Sequence, residues 1–215
     1  GEHLKAYLSA HHQPVTPCAS HLKPLNKMPS VGSYAFNDTM TRLLPPGSIM
    51  VVDGGGTALY TGFQSSHIKE GSRLICSSAI SAMGSGIPES VGACLASDRR
   101  LTTCIIGDGS LMFNLQELAT VKHLGLPIKI FVISNGGYLA IRHTQAGYLE
   151  GRYNGVNEKD LWFPDLSNIA HTFKLPYARV DEPYDAQLIG EVLEAPGPIL
   201  CEVLTPHDQE MVSFR

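Results

Sequence analysis

Residues 101–135, LTTCIIGDGSLMFNLQELATVKHLGLPIKIFVISN, decide the fold. The apolar run Leu101 to Ile106 ends at a turn, Gly107-Asp108-Gly109-Ser110. Asn114 to Leu124 follows, with Leu115, Leu118 and Val121 spaced as one helical face, and Gly125 and Pro127 stop it. A second apolar run, Ile128 to Ser134, ends at Asn135. The unit reads as strand, helix, strand, with Asp108 and Asn135 each just past the C-terminal end of a strand. Open α/β sheets bind ligands at that edge. A carboxylate and an amide carbonyl are hard oxygen donors, the kind that Mg²⁺ takes while sharing substrate phosphates. The pair therefore reads as half of a site for a magnesium-bound diphosphate. Gly137, two residues on, can offer a backbone carbonyl because no side chain stands in the way.

The same alternation extends outward. Ser33 can cap a helix reaching Leu44, with Phe36, Met40, Leu43 and Leu44 on one face, and Pro45-Pro46-Gly47 stops it. Ile49 to Val52 and Arg73 to Cys76 read as strands, and Pro88 to Ala96 as a helix with proline in its first turn. Beyond Asn135, Tyr138 to Thr144 reads as a short helix and residues 146–164 as a long loop. Asp165 to Phe173 and Asp185 to Leu193 read as helices, Tyr177 to Val180 and Ile199 to Val203 as strands. Strands alternating with helices imply a doubly wound α/β domain, with a mainly parallel sheet and helices on both faces. Residues 1–30 differ: Pro14, Pro17, Pro24 and Pro29 interrupt them, and they hold four of the nine histidines without ligand spacing. They read as a linker or the tail of an upstream domain, and residues 31–215 as the α/β domain.

A length of 215 residues suffices for a buried core. The net charge of −4, with no basic block, argues against nucleic acid as a partner. No apolar run has the length of a membrane span, and Gly1 to Ala10 lack the apolar core of a signal peptide. Five cysteines without CxxC spacing, Cys104 and Cys201 among them inside apolar runs, fit a reduced, cytoplasmic setting. There the sequon Asn37-Asp38-Thr39 is a chance match.

Two glycine-rich stretches accompany the Asp108 turn. Gly54-Gly55-Gly56-Thr57 follows a strand; without a Gly-Lys-Ser/Thr ending it is no Walker loop, and it reads either as a plain turn or as an anion cradle. Ser81-Ala82-Met83-Gly84-Ser85-Gly86-Ile87-Pro88 opens a helix and is no dinucleotide fingerprint, since Glu89 stands where a third glycine belongs. Arg142, His143 and Gln145 share a short helix; Arg142 reads either as a bidentate donor to a substrate carboxylate or as part of a solvated face. Glu117 reads as solvated or ion-paired.

The text GDGSLMFNLQELATVKHLGLPIKIFVISNGGYLAIRHTQ resembles the C-terminal cofactor domain of the acetolactate synthase-like family of thiamine diphosphate (ThDP)-dependent 2-oxo acid enzymes. The family's metal motif begins GDG and ends Asn-Asn; Ser134 replaces the first Asn here. The resemblance runs from about Val31 onward and implies ThDP and Mg²⁺ as cofactors. It implies a central domain upstream of the cofactor domain, residues 31–215. It implies metal ligation by Asp108, Asn135 and Gly137. It implies cofactor contacts from Gly55, Gly56, Thr57, Ala58, Ser81, Met83, Gly109, Ser110, Gly137, Tyr138, Leu139 and Ala140. Met83 takes the place of a bulky apolar residue that props the cofactor in a bent form, although a core methionine and, for Tyr138, a core aromatic remain open readings. The implied activity is decarboxylation of a 2-oxo acid with transfer of the carbanion to an acceptor. The alternatives are a simple 2-oxo acid decarboxylase subunit and a non-catalytic diphosphate-binding interaction domain. The family's catalytic glutamate comes from a separate pyrimidine-binding domain that no part of this sequence resembles. A pyrimidine-binding domain or subunit, a small-molecule 2-oxo acid and a homo- or hetero-oligomer are the implied partners.

Overall fold

The computed structural model describes residues 32–77, 79–156 and 159–212. The expected linker at residues 1–30 lies outside them. The chain runs α1 (Gly32–Leu43), β1 (Ile49–Val52), α2 (Gly56–Ser65), β2 (Arg73–Cys76), α3 (Gly86–Ala96), β3 (Thr102–Gly107) and a single turn α4 (Asp108–Leu111). It continues through α5 (Glu117–Leu124), β4 (Ile128–Ser134), α6 (Leu139–Tyr148), α7 (Leu166–Thr172), β5 (Tyr177–Val180), α8 (Ala186–Glu194) and β6 (Ile199–Leu204). The six strands form one sheet in the order β2-β1-β3-β4-β6-β5, every pair parallel.

Strand side chains alternate between two cores. Ile105, Phe131, Ile133 and Val203 pack with Phe36 and Met40 of α1 and Ile189 and Val192 of α8. Cys104, Ile106, Ile130 and Val132 pack with Ile87 of α3, Leu118 and Val121 of α5, and Ile169 of α7. Both faces are covered, which is why the central strands read as unbroken apolar runs. The doubly wound expectation stands. No helix among the described residues is long and apolar enough to cross a membrane.

Local differences have identifiable causes. Ser33 lies inside α1, and its hydroxyl bonds Gln209 instead of capping, because Gln209 folds back from the chain's far end. Leu43 is exposed, since the helix turns it off the face that Phe36, Met40 and Leu44 share. α5 begins at Glu117, three residues later than the apolar spacing suggested, and ends at Gly125 in the left-handed conformation expected of a terminal glycine. α6 reaches Tyr148, shortening the long loop. Asp165 is an N-cap, accepting from the N–H groups of Ser167 and Asn168. α2 and the single turn α4 were not expected as helices. Asn37 is fully buried and donates to Thr61 Oγ1 at 3.1 Å, so the sequon is inaccessible. The described cysteines are all free, and burial pushes Cys104 and Cys201 up to about 12, as inert core thiols.

One charge interrupts the central strand β4. Lys129 is 1% exposed, and its ammonium donates to the carbonyls of Ala195 and, at 2.7 Å, Gly197. These lie just past the C-terminus of α8, where a helix leaves carbonyls unbonded and favours a cation. Lys129→Met keeps the volume but strips two carbonyls of their donor. We expect a loss of about 1–3 kcal/mol, measured as a lower urea midpoint with unchanged slope; an unaltered midpoint would show the ammonium to be dispensable.

Candidate functional site: a cleft at the strand ends

Strand order reverses between β1 and β3, and there the C-terminal ends of β1, β3 and β4 enclose a cleft of about 50 Å³. Gly55, Gly56, Thr57, Ala58, Met83, Asp108, Gly109, Ser110, Asn135, Tyr138, Leu139 and Ala140 line it, with Gly107 and Ile141. Four segments far apart in sequence thus meet at the switch point where such sheets bind ligands. Of the predicted site residues, Ser81 and Gly137 lie outside the lining. Ser81 is exposed on the neighbouring loop with φ 52°, and Gly137 sits behind Asp108.

Asp108 is the centre of the cleft. It is 6% exposed. Its Oδ1 accepts from Gly109 N–H at 2.7 Å, and its Oδ2 from the N–H groups of Asn135 at 3.0 Å and Gly137 at 3.1 Å. Burial pushes the carboxyl above its usual range, while the N–H bonds pull it back. Oδ1 keeps an acceptor site free. The Asn135 side chain, also 6% exposed, lines the same cleft, and its amide has no hydrogen-bond partner among the described residues. A buried carboxylate beside an unpartnered amide oxygen suits a hard cation with phosphate oxygens for its remaining ligands. The carbonyl of Gly137 accepts from Arg142. Among the described residues no three His, Cys, Asp or Glu side chains gather as a metal site.

Two helix N-termini face the cleft without side-chain caps. In α2, capped only by the backbone of Gly55, the first helical bond is Leu59 N–H to Gly55 O, leaving the N–H groups of Gly56, Thr57 and Ala58 at the open end. In α6 the first bond is Arg142 N–H to Tyr138 O, leaving those of Leu139, Ala140 and Ile141. All six residues line the cleft. Unbonded N–H groups and aligned helix dipoles give such ends positive character, and anions bind there. The expected cradle at Gly54–Thr57 is therefore a helix start, and its anion donors begin at Gly56, because the N–H of Gly55 is already given to Asp53.

Asp53 is the residue that sequence reasoning missed. It is fully buried; Oδ2 accepts from Gly55 N–H at 2.8 Å, and Oδ1 from Gly84 and Gly86 N–H, each at 2.9 Å. One carboxylate thus binds the loop after β1 to the loop carrying Met83, and holds the half-buried Met83 over the cleft. Contact is close enough that a Cβ at Gly54 would lie 2.5 Å from the Ser81 backbone. The signal was present: Asp53 ends an apolar run and precedes glycine, as Asp108 does.

The remaining candidates resolve differently. The Tyr138 ring packs edge-on against Phe163, with centroids 6.1 Å apart, while the residue also lines the cleft. Arg142 is neither solvated nor facing the cleft; it is buried among backbone carbonyls. His143 Nε2 bonds Gln209 O at 3.0 Å, and Gln145 bonds both backbone groups of Asn154. Glu117 accepts from Thr120 Oγ1 within α5, a structural role.

Comparison with known proteins agrees with this geometry. The family described as "Thiamine pyrophosphate enzyme, C-terminal TPP binding domain" (TPP being ThDP) matches residues 54–203. Acetolactate synthase 2, chloroplastic, of Zea mays is 31% identical over 176 residues, which are 79% of this chain and 27% of that protein. The acetolactate synthase large subunit of Parasynechococcus marenigrum (strain WH8102) is 28% identical over 184 residues, 84% of this chain and 29% of that one. The chain thus spans under a third of the length of these relatives. Rhodococcus jostii RHA1 thiamine diphosphate-dependent 4-hydroxybenzoylformate decarboxylase superposes with a TM-score of 0.71 at 22% identity, covering 86% of this chain and 34% of its own, a likeness of fold. With matched residues reaching from the α2 cradle through Asp108 and Asn135 to β6, the chain belongs to the C-terminal TPP-binding domain family of thiamine pyrophosphate enzymes.

Proposed function

We propose that this chain binds ThDP by its diphosphate, with Mg²⁺ held by Asp108 and Asn135, and forms the cofactor half of an acetolactate synthase-like enzyme. That enzyme decarboxylates a 2-oxo acid and transfers the carbanion to an acceptor. The observation that carries the reading is the convergence of two uncapped helix N-termini, a buried carboxylate and an unpartnered amide on one cleft. When bound, ThDP supplies the carbon that adds to the substrate and stabilises the carbanion. The protein's share is position and electrostatics. The N–H groups of Gly56, Thr57 and Ala58, and of Leu139 and Ala140, receive phosphate oxygens, with Gly109 and Ser110 between them. Gly137 serves the metal site through its N–H on Asp108, and it offers its carbonyl to a cation only on the side that Arg142 leaves free. Met83, carried on the loop that Asp53 anchors, sets the conformation of the bound cofactor. A wider groove of about 520 Å³, lined by Tyr60, Ala140, His143, Thr144, Tyr148, Met211 and Val212, adjoins the cleft at Ala140 and gives a substrate room.

The acid/base glutamate comes from a pyrimidine-binding domain or subunit in this reading. Exposed apolar side chains around the cleft suit its docking: Tyr60 is 41% exposed, Ile141 40%, Tyr148 85% and Trp162 81%.

Three outcomes are expected. Asp108→Ala removes the charged metal ligand, so calorimetric ThDP affinity in Mg²⁺ should fall at least about tenfold in the assembled enzyme, equivalent to about 1.4 kcal/mol; equal affinity with and without Mg²⁺ in both proteins would remove the metal assignment. Met83→Ala should lower turnover more than ThDP affinity, because the diphosphate anchor lies elsewhere. Met83 is only half-buried, so its stability cost should lie at or below about 2 kcal/mol, the low end for methionine truncation, and a folded variant with full turnover makes Met83 a packing residue. The chain alone, with ThDP and Mg²⁺, should show little turnover of pyruvate or other 2-oxo acids until a pyrimidine-binding half is supplied. Robust turnover without it would mean that an acid/base residue resides in these 215 positions.

A further inference from the structure

The loop between β4 and α6 is held on two sides by opposite charges. Its N–H groups at Asn135 and Gly137 point to Asp108 Oδ2. The carbonyls of the same two residues accept from Arg142: Nη1 donates to Gly137 O, and Nη2 to Asn135 O at 3.2 Å. Successive peptides of the loop are thereby held in turn, two through their N–H groups by an anion and two through their carbonyls by a cation. The backbone needs that support. Gly136, Gly137 and Tyr138 are consecutively left-handed, with φ of 74°, 86° and 39°, and a tyrosine adopts that region at a cost.

Arg142 also reaches beyond the loop. Its Nη2 donates at 2.6 Å to the carbonyl of His207, in the segment 205–212 that follows β6. That segment lies across the domain as a strap. The Gln209 side chain accepts from Ser33 N–H at 2.7 Å, and the Gln209 carbonyl bonds His143 Nε2 at 3.0 Å. Val212 N–H donates to Tyr34 Oη and its carbonyl accepts from Gln64 Nε2, both at 2.9 Å. The strap contributes Met211 and Val212 to the groove beside the cleft. Arg142 is 6% exposed, and a guanidinium keeps its charge there. Its planar fork reaches three carbonyls in three directions, which a lysine ammonium on a flexible stem does not reproduce.

We propose that Arg142 is a positioning residue that fixes the carbonyls of the metal loop and ties that loop to the 205–212 strap, so that metal occupancy and strap closure are coupled. The proposal rests on the Asp108–Asn135 metal reading. In that reading Asn135 reaches the cation by its side-chain amide, next to a peptide whose carbonyl Arg142 holds, and Asp108 accepts from N–H groups of the same loop. Coupling is reciprocal: what tightens the loop tightens the strap, and the converse.

The test uses Arg142→Ala in the assembled enzyme, with two readouts. The first is amide hydrogen exchange without any ligand. The second is the Mg²⁺ concentration that half-saturates ThDP binding, followed by calorimetry. We expect the amides of Asn135, Gly137 and the strap to exchange at least tenfold faster, with the protection of β3 and β4 kept. The Mg²⁺ half-saturation should rise at least tenfold. Millimolar guanidinium ion, but not sodium chloride of equal concentration, should reverse both by filling the vacated site. If the alanine variant does not fold, Arg142→Lys keeps the charge with a poorer fork and should shift both readouts in the same direction by less. Unchanged strap exchange, an unchanged Mg²⁺ requirement in a protein whose wild type needs the metal, or changes that guanidinium ion does not reverse each overturn the proposal. If the wild type binds ThDP without regard to Mg²⁺, the metal reading fails by itself, and strap and loop exchange alone then decides whether Arg142 joins the two segments.

Discussion

Backbone N–H groups that are removed from water need acceptors, and at the C-terminal edge of this sheet two buried carboxylates supply them. Asp53 takes three N–H groups, from Gly55, Gly84 and Gly86; Asp108 takes three more, from Gly109, Asn135 and Gly137. Each joins two loops that the sequence keeps far apart. An unmet donor in a buried loop costs about 1–3 kcal/mol, and bonds to a charged acceptor are the stronger kind. The loops at β1, β2, β3 and β4 have their shapes because these two anions stand where they do. The cleft is the space left between loops so held.

The two carboxylates differ in what they leave over. Asp53 is sealed, with no exposure, and its acceptors serve the fold. Asp108 lines the cleft and retains an acceptor site, and its carboxyl is pushed up by burial despite its N–H partners. A carboxyl raised in this way contributes its stability at low pH, and loses that contribution as pH rises through the raised value. A cation in the cleft would favour its ionised form. The helix ends of α2 and α6 have the opposite sign and offset phosphate charge. Anion and cation therefore suit the cleft together better than either alone, which is the electrostatic reason for reading it as a metal–diphosphate site.

Opposite charges recur away from the cleft. Arg142 sits on carbonyls of the β4–α6 loop and the strap, and Lys129 on carbonyls past α8. Both are buried cations, and both face backbone carbonyl oxygens. The buried charges among the described residues thus complete backbone hydrogen bonding more than they pair with one another; ion pairs such as Arg42 with Asp38 lie at the surface, where they contribute little.

The sequence by itself determined the α/β class, the order of the strands and of most helices, and most of the residues that line the cleft. Those are local properties: apolar runs with strand length, helical spacing at Leu118 and Val121, glycine and proline stops, and acidic or amide residues set just beyond strand ends. Asp108 and Asn135 were legible because the turn chemistry around them is contiguous. Tertiary structure alone decided the partners of Asp53, whose donors lie some thirty residues along the chain, and the burial of Arg142, whose spacing on α6 is equally that of a solvated face. It also decided that Ser33 bonds Gln209 across the length of the domain, and that Gly55 gives its N–H to Asp53 instead of to an anion. A one-dimensional pattern records which side of an element is apolar. Which carbonyl or N–H a buried charge meets depends on how distant loops are stacked at the sheet edge, and only the folded chain brings those together.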